Sequence, residues 1–171
     1  MARPSRHILP AILVGATLVS ACSRDDETSM RARLAAWFAL DETLAFSAEQ
    51  GCAAGAFRLV HDQIGAGVPV ETNVSGMLRA LPARGVAAVD DPDLSPDKVM
   101  IEAANEQRSI GMSMRRAALE ARTCMRGPIG AEFLRMLVNP ATVFAYETTE
   151  GAVMLVDREN RVLLVAIGAR T

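Results

Sequence analysis

The segment Ala152-Val-Met-Leu-Val-Asp-Arg-Glu-Asn-Arg-Val-Leu-Leu-Val-Ala-Ile167 decides the fold class, because it predicts two strands joined by a tight turn. Each strand is a short apolar run, and the second run is apolar on both of its faces. A strand of that kind belongs in the middle of a sheet or under cover on both sides. Thr142–Glu147 predicts a third strand, which comes before this segment and is joined to it by a turn that contains glycine. The three strands together predict an antiparallel meander.

A second β region lies nearer the N-terminus. Thr43–Ala48 and Cys52–Val60 predict a hairpin, because a short loop with a glycine joins two runs of strand-forming residues. Apolar residues at helical spacing predict four helices, over Met30–Leu40, Val74–Leu81, Pro96–Met125 and Ile129–Val138. The sequence therefore predicts an α+β fold: an antiparallel sheet of about five strands, made of the hairpin and the meander, with helices packed on one face.

The amino-acid composition argues against some classes of binding partner. Half of the residues are hydrophobic and 22% are charged, which is typical of a globular domain. The net charge is −2, and no segment concentrates positive charge. Binding to nucleic acid requires such a concentration, so we expect no nucleic-acid partner. Only 4% of residues are aromatic, so few side chains are available to stack on bases or sugars.

The first residues carry an export signal. Arg3 and Arg6 precede the apolar run Ile8–Val19, which is too short to span a hydrocarbon core of about 30 Å. The run leads into Val19-Ser20-Ala21-Cys22 and then into polar residues. This tetrapeptide resembles the lipobox of bacterial lipoproteins.

The resemblance implies cleavage before Cys22, acylation of that cysteine and stable attachment to a membrane through its lipid. Ser23 at the following position implies the outer rather than the inner membrane, with the domain facing the periplasm. We therefore expect residues 1–21 to be a signal peptide, residues 22–30 a polar tether, and residues 31–171 a single α+β domain.

Cys52 and Cys124 are the remaining cysteines. In an exported protein, two such residues are expected to form a disulfide, here between the start of a strand and the inward face of a helix. The alternatives are two buried free thiols or a catalytic thiol, but no C-x-x-C motif supports the latter.

Several other residues invite a chemical interpretation that the sequence supports weakly. The ligand spacing of an EF-hand calcium loop occurs in Asp91, Asp93, Ser95, Asp97 and Glu102, but Pro96 stands where the loop needs glycine. A soft copper site is suggested by Met100, Met112, Met114, Met125 and Met136, but methionine also fills aliphatic cores. We expect the acidic residues to form a turn and a helix start, and we expect no metal and no cofactor.

Two further sets of residues suggest a catalytic site or an anion site, and each has a simpler explanation. His61 beside Asp62 offers a base, but neither Ser75 nor another nucleophile stands in a recognisable catalytic frame. We expect the outer face of a helix, rather than an anion site, at Arg115, Arg116, Arg122 and Arg126. No catalytic residue is therefore assigned.

The expected function is that of a lipid-anchored cell-envelope protein, a non-catalytic interaction or structural module whose partners are the membrane, through Cys22, and another envelope protein. One alternative is a periplasmic carrier or sensor of a small apolar ligand, which requires a pocket of roughly 300 Å³ or more. The other is a hydrolase, which requires His61 or the acidic residues to converge in one cleft.

Replacing Cys22 with alanine tests the lipid anchor. The variant lacks the thiol that receives the acyl group, so we expect it to accumulate as a precursor that takes up no radioactive palmitate. The unsubstituted chain should be labelled in the same cells. Labelling of the Cys22→Ala chain would show that the lipobox interpretation is wrong.

Overall fold

The computed structural model describes residues 25–169 as one seven-stranded sheet with helices on both of its faces. The lipobox and Cys22 lie outside these residues. In chain order the elements are α1 Glu27–Leu34, β1 Leu40–Glu49, β2 Cys52–Leu59, β3 Val70–Glu71, α2 Val74–Arg84, β4 Val86–Val89, α3 Pro96–Glu106, α4 Arg108–Glu120, a 3₁₀ turn Ala121–Thr123, α5 Pro128–Leu137, β5 Val143–Glu147, β6 Ala152–Asp157 and β7 Val162–Ile167. The α+β class is confirmed. No helix within residues 25–169 is long and apolar enough to span a membrane.

The strands follow the order β1-β2-β7-β6-β5-β4-β3. The hairpin and the meander are present as predicted, and β6 and β7 have the predicted bounds. Six residue pairs, from Ala53 with Ile167 to Arg58 with Val162, join β2 to β7. β7 therefore lies inside the sheet with all six residues buried, as its two apolar faces required.

The prediction of about five antiparallel strands is roughly right but incomplete in two respects. β3 and β4 extend the sheet beyond β5, and they pair in parallel through Val70 with Ala88 and Glu71 with Val89. The sheet is therefore mixed. β1 and β3 form its two edges; β1 has register breaks between Leu40 and Ala45, and β3 is only two residues long.

The prediction that the helices pack on one face was also incomplete. Helices α2–α5 cover one face, where their apolar side chains meet alternate residues of the strands. α1 lies on the opposite face, where Met30 and Leu34 are buried with Phe57 of β2. α1 begins at Glu27, three residues before the predicted start, because Asp26 accepts a 2.9 Å hydrogen bond from the Ser29 N–H and caps the helix.

The long helix predicted from Pro96 to Met125 is in fact two helices. The backbone at Gln107 leaves the helical region, with φ −134° and ψ 86°, and α4 packs against α3. A side chain at Gly111 would bring a Cβ within 2.1 Å of the Ala104 nitrogen, so only glycine permits this close approach. The break matters for function because it sets α3 beside α4 on the outer surface of the domain.

An ion pair links α5 to the sheet. Asp157, at the end of β6, is buried, and its carboxylate accepts hydrogen bonds from Arg135 and from the backbone and side chain of Asn160. Burial acts to raise the pKa of Asp157, but the hydrogen bonds from Asn160 and Arg135 outweigh it and hold the pKa below its usual value. The charged carboxylate therefore stabilises the folded state.

Replacing Asp157 with asparagine tests this link. Because the folded-state pKa is lowered, the carboxylate stabilises the protein above its unfolded pKa of about 3.9 and loses that effect as pH falls through the folded value. We expect Asp157→Asn to lower the free energy of unfolding by about 1.5–3 kcal/mol at pH 7. The difference should shrink near pH 3, as measured by thermal unfolding. Asp62→Asn, at an exposed position, is the control; an equal loss for Asp157→Asn at both pH values would contradict the assignment.

Candidate functional site

The predicted disulfide is present. Cys52 at the start of β2 is bonded to Cys124, which follows the 3₁₀ turn, and their Cα atoms are 6.0 Å apart. Both cysteines are buried. The bond fastens the junction between α4 and α5 to the sheet, and an ion pair between Arg126 and Glu49, 3.2 Å apart, adds a second link at this junction. The disulfide therefore holds the α4–α5 junction against β2.

The residues with calcium-loop spacing do not converge. Asp91 accepts a hydrogen bond from the Asp93 N–H, and Ser95 donates one to the Asp97 carboxylate, so both acids complete local turns. Pro96 starts α3. Within residues 25–169, no group of three or more histidine, cysteine, aspartate or glutamate side chains is placed to hold a metal ion.

The methionines are dispersed as well. Met114 and Met136 are fully buried between the helices and the sheet, whereas Met112 is exposed on α4. Met100 and Met125 belong to the same core but also reach a surface groove. Their distribution is that of packing residues rather than of a copper site.

His61 and Asp62 do not form a catalytic group. Both are exposed in the segment that follows β2. Ser75 lies on α2, where its hydroxyl donates to the Glu106 carboxylate at 2.8 Å. The serine hydroxyl therefore links α2 to α3.

The four arginines considered together in the sequence are separated by the structure. Arg115 and Arg122 line the groove, Arg116 lines a smaller polar cleft beside Tyr146, and Arg126 pairs with Glu49. Only the first two share a surface with apolar side chains. That surface is the candidate site.

The groove lies between α3, α4 and α5 and has a volume of about 780 Å³. Each helix contributes a stripe of residues at helical spacing. The apolar part of the lining consists of Met100, Ile101, Ala118, Leu119, Met125, Ala131, Phe133, Leu134 and Leu137. Leu119 is 61% exposed, Leu134 is 64% exposed and Ile101 is 46% exposed. Three exposed large apolar side chains around one groove make this surface the candidate site.

Glycines shape one end of the groove. A Cβ at Gly130 would lie 2.3 Å from the Met125 carbonyl oxygen, so α5 can start this close to the α4–α5 junction only with glycine there. Gly127 has φ +59°, a conformation that favours glycine, and a Cβ there would meet nothing within 4 Å. The floor at this end is therefore backbone and small side chains, which leaves room for an occupant.

A smaller cleft of about 290 Å³ lies between α4 and the turn that joins β5 to β6. Its lining is more polar and includes Arg116, Glu120 and Tyr146. Glu120 accepts a 3.0 Å hydrogen bond from the Ala169 N–H, so it holds the end of the described chain. Burial, together with the charge of Glu147, raises the pKa of Tyr146. The tyrosine is therefore neutral at physiological pH.

A comparison of the chain with known protein families, curated proteins and solved structures finds no match. The residues that line the groove are therefore the basis for any function assigned to it.

Replacing Cys52 with serine tests the structural role of the disulfide. The bond closes a loop between residues 72 positions apart, and loop-closure entropy gives it about 4 kcal/mol of stabilisation. We expect Cys52→Ser to melt at a clearly lower temperature than the unsubstituted chain under oxidising conditions. With reductant present, the two melting temperatures should nearly coincide. An equal difference in both conditions would mean that the thiols contribute only packing.

Proposed function

We propose that this chain is a lipid-anchored cell-envelope protein whose domain is a non-catalytic binding module, with the groove between α3, α4 and α5 as its binding surface. The anchor rests on the lipobox at Val19-Ser20-Ala21-Cys22. The binding role rests on one observation, the cluster of Ile101, Leu119 and Leu134 exposed around the groove. Burying these side chains against a partner would remove apolar surface from water, which favours association.

A specific feature favours a second candidate, a carrier or sensor of a small apolar ligand. The groove volume of about 780 Å³ falls within the usual range of ligand pockets, about 300–1,000 Å³. Such pockets bury most of the ligand surface. Because Leu119 and Leu134 are largely exposed, the groove encloses its contents poorly. A polypeptide partner, which covers the rim as well as the floor, fits it better.

The hydrolase alternative gains nothing from the arrangement of the described residues. His61 and Asp62 are exposed on the segment after β2, and Ser75 is bonded to Glu106 on α3. We therefore propose no catalytic residue.

A crosslinked pull-down of the tagged, membrane-anchored protein tests the proposal. We expect one or two reproducible envelope proteins whose recovery falls at least about tenfold with the double variant Leu119→Asp, Leu134→Asp, because charge replaces the two most exposed apolar contacts. Cys22→Ala should also lose them, since the unacylated precursor lacks the lipid that anchors the domain in its membrane.

Val60→Asp is the matched control for the groove variant. Val60 is 56% exposed in the segment that follows β2, so an aspartate there also replaces an exposed apolar side chain with a negative charge but does not touch the groove. Its recovery of partners should equal that of the unsubstituted chain. Unchanged recovery with the groove variant, when its melting temperature is also unchanged, would refute the groove. Small molecules released on solvent extraction of the purified protein would instead support the carrier.

A further inference from the structure

Two arginines without partners lie along one wall of the groove. Arg115 and Arg122 are exposed, and neither side chain makes an ion pair or a hydrogen bond within residues 25–169. Five other arginines of the domain are paired with carboxylates: Arg33, Arg58, Arg126, Arg135 and Arg158. Four more lack such a partner within residues 25–169 but lie outside the groove: Arg79, Arg84, Arg108 and Arg116. The wall of the groove therefore carries positive charge that the described chain does not neutralise.

The spacing of the two arginines fits a helical occupant. They are seven residues apart, which is about two helical turns or roughly 10 Å. Leu119 lies between them, and Leu134 and Leu137 line the facing wall on α5. An amphipathic helix laid in a groove presents apolar side chains at the same spacing of three, four and seven residues.

The lining of the groove carries one negative charge against the two arginines, a net charge of +1. Asp97 is the one acidic residue in the lining, and it lies at the start of α3, where Ser95 donates a hydrogen bond to its carboxylate. The groove thus combines an apolar floor with a positive flank. Its complement is a surface with an apolar stripe and a negative flank.

We infer that the partner segment is an acidic amphipathic helix, whose apolar stripe packs between α4 and α5 and whose carboxylates face Arg115 and Arg122. This inference rests on the proposed function, since it names the chemistry of the partner that the groove binds. Carboxylates pair well with arginine because the planar guanidinium can donate two parallel hydrogen bonds.

A membrane surface with anionic lipids presents similar chemistry, but the position of α1 argues against it. The chain between Cys22 and α1 at Glu27 is four residues long and can reach about 14 Å at most. A lipid on Cys22 would hold α1 close to the membrane. The groove lies on the opposite face of the sheet from α1, so the sheet separates it from the helix nearest the anchor.

Two synthetic peptides test the inference. Both are 18-residue alanine-based helices with the same leucine stripe and a fluorescent label; one carries glutamates along one flank and the other carries lysines at those positions. Binding is measured by fluorescence anisotropy to the full lipidated protein in phosphatidylcholine nanodiscs, with empty nanodiscs as the blank. We expect the glutamate peptide to bind at least about tenfold more tightly than the lysine peptide.

Charge reversal in the groove should invert that preference. The double variant Arg115→Glu, Arg122→Glu should bind the lysine peptide more tightly than the glutamate peptide. Arg116→Glu changes the same charge on the same helix outside the groove and should behave like the unsubstituted protein. All three positions changed in the peptide assay and its control are exposed, and matching melting temperatures will verify that the variants fold.

The remaining outcomes overturn the inference. Equal affinities for the two peptides, or a preference that survives charge reversal, would show that the arginines do not select the partner. Binding of phosphatidylglycerol vesicles or of palmitate that is lost in the double variant would assign the arginines to a lipid instead. If partner recovery still depends on Leu119 and Leu134 while the peptides are not distinguished, the binding module stands and only the acidic helix is refuted.

Discussion

The pairing of β2 with β7 is the constraint on which the rest of the structure depends, because it joins the first hairpin to the last strand. Without these six residue pairs, the hairpin and the meander would be two small sheets, each with an exposed apolar edge. The register is fixed by burial, since a shift of one residue would turn the apolar side chains to the wrong face. β2 and β7 are far apart in the sequence, so the helices between them must find their places before the sheet is complete.

The groove follows from how those helices are fastened to the completed sheet. The Cys52–Cys124 bond fixes the end of the α4 segment on β2, and the Arg135–Asp157 pair fixes α5 on β6. The two helices are thus held by separate strands, and their outward residues stay apart. Under the proposed function, walls fastened to the sheet in this way would favour binding, because less conformational freedom is lost when a partner arrives.

Much of the fold could be predicted from the sequence, and the failures have physical causes. The meander and α5 were predicted well because their apolar runs are bounded by glycine, proline and polar turns. β4 was missed because Val86–Val89 is too short for periodicity to distinguish a strand from buried helix. The break at Gln107 was missed because apolar spacing continues across it, and it depends on how Gly111 packs against α3. The groove could not be predicted without that break, since only the break places Ile101 beside Leu119. Leu119, which lies off the inward stripe of α4, was the available signal.

The two edges of the sheet bear on how copies of this chain behave near one another. β1 has its register breaks beside Asp41 and Glu42, and β3 offers only two residues. Irregular, charged or very short edge strands are poor templates for adding a strand from another molecule. Under the proposed anchoring, the protein is crowded into the two dimensions of a membrane, where such addition would be most frequent. The edges therefore disfavour aggregation through added strands in that setting.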